Sequence, residues 1–95
     1  MMKVRLLQTQ HNNAFLNMAI DEAVLHHVAE GKVLPTLRLY GWKPSAVSIG
    51  YFQGLTQEVD LEQCKAHRVD VVRRITGGGA VYHDKEITYS FIVPQ

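Results

Sequence analysis

The stretch over residues 73–84 constrains the fold and function of this chain more than any other. It reads Arg-Arg-Ile-Thr-Gly-Gly-Gly-Ala-Val-Tyr-His-Asp, so two guanidinium groups precede three glycines, and an aromatic, an imidazole and a carboxylate follow. Glycine adopts positive φ at little steric cost and lets a ligand approach the bare backbone. Consecutive amide groups in such a turn can bind anions, and arginine offers forked donors that suit phosphate or carboxylate. These residues therefore predict a loop that holds an anionic ligand or intermediate.

Known phosphate-binding loops do not account for this stretch. No Gly-Lys-Ser/Thr follows the glycines, so it is not a P-loop, and it lacks the G-x-G-x-x-G spacing of dinucleotide-binding folds. Three glycines alone are more typical of a glycine-rich hairpin. The flanking Arg-Arg and Tyr-His-Asp favour a binding loop.

The apolar periodicity predicts two helices and several short strands. We expect strands over 3–9, 36–40, 46–51, 69–74, 80–83 and 86–93, a helix over 14–30 and a short helix over 61–67. In the long helix, the apolar residues at helical spacing are Leu16, Ala19, Ile20, Ala23, Val24 and Val28. Asn12 and Asn13 are candidate N-caps, Gly31 is the expected stop, and Asp60 can cap the short helix.

The connections between these elements determine the predicted fold class. The strands over 36–40 and 46–51 are expected to pair as a hairpin around the turn at 41–45. Most connections are too short for a crossover helix, which disfavours a doubly wound parallel sheet. We therefore predict an α+β fold with a mixed, largely antiparallel sheet and helices on one face.

Composition excludes several classes of function. The chain has 95 residues, a net charge of +1 and one cysteine, so it is at most one small domain without a basic surplus, a disulfide framework or a cysteine-based zinc cluster. No apolar run reaches the ~18 residues of a membrane span, and the start lacks the apolar core of a signal peptide. His26 and His27 are adjacent and cannot form an i, i+4 metal pair. We expect a cytoplasmic protein with no nucleic-acid, membrane or metal partner.

Four blocks of sequence resemble one enzyme family. They are Asn17-Met-Ala-Ile-Asp21-Glu22-Ala23, Leu37-Arg38-Leu-Tyr40-Gly41-Trp42, Val47-Ser-Ile49-Gly50-Tyr51-Phe52-Gln53 and the stretch over 73–84. In this order they resemble the lipoate–protein ligase A family, over nearly the whole chain. That family shares its fold with the octanoyltransferases of lipoate assembly and, more remotely, with biotin–protein ligases.

The resemblance implies roles for individual residues. Arg74 matches the arginine that contacts the nucleotide or acyl-adenylate. The residues that match the wall around the bound intermediate are Gly77, Gly78, Gly79, Ala80, Val81 and Tyr82. His83 matches the histidine beside the acyl site, with Trp42 and Thr76 as further candidates for the acyl pocket.

Several of these residues also have a purely structural interpretation. His83 is about equally well read as a packed histidine, and Trp42 as a packed indole. Asp21 and Glu22 match an acidic pair of the family, although mid-helix carboxylates are usually a solvated face. Cys64 does not match the nucleophile of the cysteine-dependent transferases and is expected to pack as a small apolar side chain.

The resemblance implies two related activities. The preferred one is a ligase that uses ATP with Mg²⁺ to activate lipoate or octanoate and passes the acyl group to a lysine of a lipoyl domain. The alternative is an octanoyltransferase that takes octanoate from acyl carrier protein and needs no cofactor. Acceptors would be lipoyl domains of 2-oxoacid dehydrogenase complexes or the glycine cleavage H protein. The unbroken Gly-Gly-Gly and Tyr82 resemble the ligases, whereas Glu86-Ile-Thr-Tyr-Ser resembles the transferases.

The family's downstream reacting group leads to a further expectation. Ligases carry a lysine well beyond the glycine loop and cysteine-type transferases carry a cysteine there, and neither position falls within residues 1–95. We therefore expect the N-terminal portion of a catalytic domain, truncated after the strand over 86–93, with no catalytic residue of its own. A second polypeptide could complete the site, and a non-catalytic acyl- or nucleotide-binding module or a gene remnant is the alternative.

Overall fold

The computed structural model describes residues 3–94 and contains three helices and six strands over that range. In chain order they are β1 (Arg5–Asn12), α1 (Ala14–Ala29), β2 (Thr36–Trp42), β3 (Ala46–Ile49), α2 (Leu55–Glu58), α3 (Leu61–Ala66), β4 (Asp70–Arg73), β5 (Val81–His83) and β6 (Thr88–Ile92). The predicted strands and both predicted helices are present, with shifted ends. The short α2 was not predicted, because four residues carry too little periodicity to be detected.

The strands form two three-stranded sheets, and each sheet is mixed. One sheet has the order β1-β2-β6, in which β1 and β2 are parallel and β6 is antiparallel to β2. The other has the order β4-β3-β5, with β4 parallel and β5 antiparallel to β3. The predicted α+β class with mixed pairing is confirmed. Parallel and antiparallel pairings are balanced, and the strands are divided between two sheets rather than gathered in one.

The predicted hairpin between the second and third strands is wrong. Both edges of β2 are already paired, one with β1 and the other with β6. A strand has two hydrogen-bonding edges, so β3 cannot join β2 and instead begins the second sheet. Alternating apolar residues show that a segment is a strand, but they do not show which strand it pairs with.

Helix α1 is the element that connects the two sheets. The side chain of Asn13 accepts a hydrogen bond from the amide of Leu16, and Gly31 follows the helix with a φ of 73°. Both ends are therefore as predicted. The helix packs against β2 and β6 of one sheet and β4 of the other.

The buried face of α1 differs from the predicted apolar face. Its buried residues are Ala14, Asn17, Val24 and Val28, whereas Leu16 is exposed. A polar residue lies on this face because the amide of Asn17 donates to the carbonyl of Gly41 over 2.8 Å. The side chain also accepts from Arg38. Buried polar atoms need such partners, which the periodicity of apolar residues does not reveal.

A small apolar cluster lies between α1 and the two sheets. It contains Ala14, Tyr40, Trp42, Ala46 and Val72, with Met18 packed against it. Tyr40 and Trp42 come from one sheet and Ala46 and Val72 from the other, so the cluster joins the sheets at the end of β2. None of the helices in residues 3–94 is long and apolar enough to cross a membrane.

Candidate functional site

A cavity of about 550 Å³ opens beside this cluster. Its lining residues are Met18, Asp21, Leu25, Tyr40, Trp42, Arg74, Ile75, Thr76, His83, Thr88, Tyr89, Ser90, Phe91, Ile92 and Val93. Small-molecule sites usually have volumes of about 300–1,000 Å³, with apolar walls and a few polar groups. The cavity has this composition, because aliphatic and aromatic side chains form most of the wall and an arginine and a histidine join them.

The glycine loop over 77–79 follows Thr76, which lines the cavity, and it lies against the end of β3. The amide of Arg74 donates to the carbonyl of Ile49 over 2.9 Å, and the amide of Tyr51 donates to the carbonyl of Thr76 over 2.9 Å. These bonds extend the pairing of β3 and β4 into the loop. They hold Arg74 and Thr76 beside the residues that follow β3.

Glycine is required at two positions here, at Gly78 by the backbone conformation and at Gly50 by close backbone packing. Gly78 has a φ of +100°, a conformation that side chains rarely adopt. A Cβ on Gly50 would overlap the carbonyl oxygen of Gly78 and lie only 3.2 Å from the carbonyl carbon of Gly77. The turn after β3 and the glycine loop are therefore in direct contact.

Arg74 fixes the glycine loop. Its Nη1 donates to the carbonyl of Ser48 over 3.1 Å and to the Ser48 hydroxyl over 2.7 Å. Its Nη2 donates to the carbonyls of Gly77 and Gly79 over 3.0 Å and 2.8 Å. Each of these nitrogens carries two hydrogens, so both are fully used by the protein.

Arg73 has a similar role toward the neighbouring turn. Its Nη1 lies within hydrogen-bonding distance of the carbonyls of Gly50, Tyr51 and Gln53, the last at 2.6 Å. Both guanidinium groups thus contact backbone carbonyls of the site.

The loop amides have no such partners. Among the hydrogen bonds of residues 3–94, the amides of Gly77, Gly78 and Gly79 donate to no protein acceptor. Backbone amides grouped in a turn, with one residue at positive φ, form a concavity for an anion. The loop amides are therefore the candidates for the predicted anion site, which stays a prediction, and Arg74 binds the carbonyls of the same loop.

A chain of hydrogen bonds extends from Arg74 to Glu86. The Ser48 hydroxyl lies 2.8 Å from Nε2 of His83, and Nδ1 of the same ring contacts the Glu86 carboxylate. His83 is 6% exposed, and its ring stacks on Trp42 with centroids 4.0 Å apart. The indole of Trp42 donates to the Thr88 hydroxyl over 2.8 Å. His83 and Trp42 are thus packed side chains that also line the cavity.

The order serine, histidine, glutamate resembles a catalytic triad, yet Ser48 cannot act as its nucleophile. Ser48 is completely buried, so a substrate carbonyl cannot approach its oxygen. Arg74 also donates to that oxygen, which lowers its electron density. A triad nucleophile needs an exposed hydroxyl activated by its base. The chain of hydrogen bonds therefore positions groups and does not attack substrate.

A second network borders the cavity, since Asp21, Tyr40 and Ser90 all line it. Arg38 is completely buried and donates to the Asp21 carboxylate over 2.7 Å. The other Asp21 oxygen accepts from Ser90 over 2.9 Å and from the Tyr40 hydroxyl over 3.2 Å. Burial raises the pKa of Tyr40 to about 12. Asp21 is thus a structural partner, whereas Glu22 lies on the solvated face as expected.

The structure brings some of the proposed site residues together and separates others. Trp42, Arg74, Thr76 and His83 all line the cavity. Ala80 and Val81 are exposed beyond the glycine loop, and Tyr82 lies in a separate groove with Cys64. Cys64 is partly buried in that groove, outside the cavity.

Sequence reasoning missed the partners that organise the site. Ser48 was not singled out, and Glu86 was noted only as part of a transferase-like segment. Its position three residues after His83 was an available signal, because a short turn can bring such a pair into contact. Asp21 was expected to be solvated, but its contacts with Arg38, Tyr40 and Ser90 could be found only from the pairing of β2 with β6.

Comparison with known proteins identifies related sequences. A family model described as lipoyl protein ligase A/B catalytic domain matches residues 13–95. The chain is 53% identical over 91 residues to octanoyltransferase LipM of Moorella thermoacetica, covering 96% of this chain and 33% of the relative. It is 57% identical over 79 residues to octanoyltransferase LipM of Geobacillus kaustophilus, covering 83% and 28%. The chain therefore spans about a third of the length of these relatives.

Solved structures with a similar fold are lipoate ligases. Lipoate-protein ligase A bound with ATP has a TM-score of 0.84 and 40% identity, over 95% of this chain and 36% of the other. Ta0514 of T. acidophilum, a lipoate protein ligase candidate with bound lipoic acid, has a TM-score of 0.82 and 39% identity, over 95% and 37%. A bipartite lipoate protein ligase from Thermoplasma acidophilum, described with its E2 lipoyl domain, has a TM-score of 0.83 and 39% identity, over 96% and 36%.

Proposed function

Because the chain belongs to the lipoyl protein ligase A/B catalytic-domain family, we propose that it forms part of an octanoyltransferase. The reaction moves an octanoyl group from acyl carrier protein to a lysine of a lipoyl domain, without ATP. This is the alternative of the two activities that the family resemblance implies. The identity of 53% and 57% to octanoyltransferases, against about 40% to the ligase structures, supports it.

The distribution of hydrogen-bond donors at the glycine loop carries this proposal. The η nitrogens of Arg74 are used by Ser48, Gly77 and Gly79, whereas the loop amides are directed to no protein acceptor among residues 3–94. Acyl transfer passes through a tetrahedral intermediate with one negatively charged oxygen, which two or three backbone amides can stabilise. A triphosphate carries more negative charge, and it would need the η nitrogens of Arg74, which already donate to other residues of the protein.

The apolar wall of the cavity suits an octanoyl chain. Leu25, Ile75 and Phe91 contribute aliphatic and aromatic surface. Thr76, the residue before the glycine loop, also lines the cavity. Burial of apolar chain stabilises a complex by about 0.8 kcal/mol for each CH₂ group. An acyl chain in the cavity would thereby bring its carbonyl toward the loop amides.

A lipoate ligase is the second candidate, supported by the likeness to ligase structures with ATP and with lipoic acid. The loop amides fit a phosphate oxygen as well as a carboxylate-derived oxyanion, so they would hold the phosphate of ATP. ATP with Mg²⁺ would supply the adenylate that activates lipoate. Arg74 would then have to exchange its contact with Gly77 or Gly79 for the nucleotide.

Partners and domain limits belong to the same proposal. The acceptors would be lipoyl domains of 2-oxoacid dehydrogenase complexes or of the glycine cleavage H protein, and the bipartite ligase described with a lipoyl domain supports an acceptor of this kind. That bipartite relative also supports a second polypeptide as a route to completing the site. We assign residues 1–95 to the N-terminal portion of a catalytic domain and place the protein in the cytoplasm.

The two activities are separated by their acyl donors. This chain and, in parallel, any longer polypeptide that carries it are incubated with a lipoyl domain and either octanoyl acyl carrier protein or free lipoate, ATP and Mg²⁺. Mass spectrometry of the lipoyl domain measures acylation, and a domain whose target lysine is replaced by arginine is the control. We expect octanoylation from the carrier protein without ATP. Acylation that requires ATP and free acid would overturn the proposal in favour of the ligase.

A pair of leucine substitutions tests whether the cavity holds the acyl chain. Leu25 lines the cavity and Leu61 lies on α3 outside it, and the two are 37% and 38% exposed. Leu25→Trp should fill part of the cavity and reduce transfer of octanoate more than transfer of acetate. Leu61→Trp should leave both rates unchanged. Equal rates for the two variants with octanoate would contradict acyl binding in the cavity.

A further inference from the structure

We propose that Glu86 is a positioning residue that sets the tautomer of His83 and, through Ser48, keeps Arg74 on the glycine loop. Glu86 itself lies outside the lining of the cavity. It contacts the ring of His83, which contacts Ser48, which in turn accepts from Arg74. The expected effect on acyl transfer rests on the proposed function, whereas the expected effect on the tautomer does not.

The donors and acceptors of this chain of groups allow one consistent arrangement. An ionised carboxylate only accepts, so Nδ1 of His83 must carry the hydrogen that Glu86 receives. Ser48 is completely buried, and its hydroxyl hydrogen needs an acceptor. Nε2 of His83, 2.8 Å away, is the acceptor that the structure offers to that hydrogen. The arrangement of donors and acceptors thus assigns the ring hydrogen of His83 to Nδ1 and the acceptor role to Nε2.

This arrangement leaves the lone pairs of Ser48 free for Arg74. With its hydrogen directed to His83, the Ser48 oxygen accepts from Nη1 over 2.7 Å. The same guanidinium then reaches the carbonyls of Gly77 and Gly79 with Nη2. The position of the glycine loop thus depends on the direction in which the Ser48 hydroxyl points.

Loss of the carboxylate would reverse the direction of these hydrogen bonds. Without an acceptor at Nδ1, the His83 hydrogen is free to move to Nε2, where it faces the Ser48 hydroxyl. Ser48 would then accept from His83, and its own hydrogen would turn toward Arg74, where it meets another donor. The repulsion between two donors would displace Arg74 from Ser48 and loosen its hold on Gly77 and Gly79.

Packing around His83 holds the ring in place, so we expect loss of Glu86 to change the tautomer of the ring and not its position. The ring is 6% exposed and stacks on Trp42 at an angle of 12°, with centroids 4.0 Å apart. Trp42 is held in turn by Thr88. The ring position is therefore fixed from one face, and exchange of the hydrogen between its nitrogens costs less than rotation of the ring.

Nitrogen NMR of uniformly nitrogen-15-labelled protein tests the tautomer directly. His83→Gln identifies the signals of His83 among the five histidines of the chain. We expect a protonated Nδ1 and an unprotonated Nε2 in the wild type and in Glu86→Gln, whose amide oxygen still accepts. Glu86→Leu should move the hydrogen to Nε2 and shift the Gly78 and Gly79 amide signals. Glu62→Leu, an exposed glutamate of α3, should change neither.

Acyl transfer by the same variants provides the functional measurement. Glu86→Leu should lower kcat about tenfold to a hundredfold, as losses of an orienting partner do, with KM for the acyl donor nearly unchanged. Glu86→Gln should restore most of the rate. A wild-type His83 protonated at Nε2, or a Glu86→Leu variant with an unchanged tautomer and unchanged glycine signals, would overturn the proposal. Absence of transfer when the variants are made in a longer polypeptide that carries this chain and the rest of the catalytic domain, with the tautomer shift observed, would instead contradict the proposed function.

Discussion

Each sheet has a network centred on an arginine, Arg38 within β2 and Arg74 directly after β4, and the surroundings of the two arginines differ. Arg38 is completely buried and binds a helix through the carboxylate of Asp21 and the backbone and side chain of Asn17. Arg74 is partly buried and binds Ser48 and the carbonyls of an exposed loop. The first network joins elements that have regular structure of their own. The second holds a segment that has none.

This difference indicates that one arginine network contributes mainly to stability and the other mainly to the position of a loop. Removal of one partner from a buried ion pair leaves an uncompensated charge in the core, which is costly. Removal of a donor from exposed carbonyls leaves groups that water can reach, so the loss is small. We therefore infer that Arg38 maintains the fold, and that Arg74 maintains the shape of the candidate site.

The largest expected effect comes from the same substitution in the two networks. Arg38→Met leaves Asp21 without its cation and should lower the free energy of unfolding by about 3–5 kcal/mol. Arg74→Met should lower it by less, about 1–2 kcal/mol, because water can reach the exposed carbonyls of Gly77 and Gly79. The buried hydroxyl of Ser48 keeps its contact with His83. Urea titration followed by circular dichroism measures both variants. Equal losses would show that the two arginines do not differ in this way.

The Arg38 network also shows how much of the fold can be predicted from the sequence. Helix α1 was predicted within one residue at its C-terminal end, because its caps and length are local properties. The burial of Asn17 and Asp21 was not predicted, since it depends on Arg38 lying across from α1. That position follows from the placement of β2 between β1 and β6, which alternation of apolar residues does not encode.

The second expected effect is a loss of stability at alkaline pH, which should originate in the Arg38 network. Burial raises the pKa of Tyr40 from 10.0 to about 12, so the unfolded chain loses this proton first. The stability that the neutral Tyr40 side chain contributes is fully present below pH 10 and is lost as pH rises from 10 to about 12. The loss in the free energy of unfolding is on the order of 2–3 kcal/mol.

Unfolding of the wild type and of Tyr40→Phe across this range provides the measurement. The wild type should lose stability relative to Tyr40→Phe, because phenylalanine has no proton to release. Tyr51→Phe, at an exposed position, is the matched control and should follow the wild type. If the free energies of unfolding of the wild type and Tyr40→Phe change with pH in parallel, another group causes the loss of stability at alkaline pH.

The candidate site was less predictable than the fold, and the glycine loop shows why. Its role as a candidate anion site was proposed from glycine chemistry, and the place of His83 and Trp42 at the cavity was proposed from the family resemblance. The contact of Arg74 with the loop carbonyls followed from neither. It depends on the distance between β3 and the loop, which is set by the contact of Gly50 with Gly78.

That contact is the basis of the third and smallest expected effect. Gly50→Ala would place a Cβ against the carbonyl of Gly78, so backbone must shift, at a cost of about 1–3 kcal/mol in the free energy of unfolding. Gly79→Ala is the matched control for stability, because a Cβ there meets nothing within 4 Å, and its cost should stay within about 0.5 kcal/mol. Urea titration compares the two. A Gly50→Ala variant as stable as Gly79→Ala would mean that the loop adjusts freely, and that Arg74 does not need the close approach to hold it.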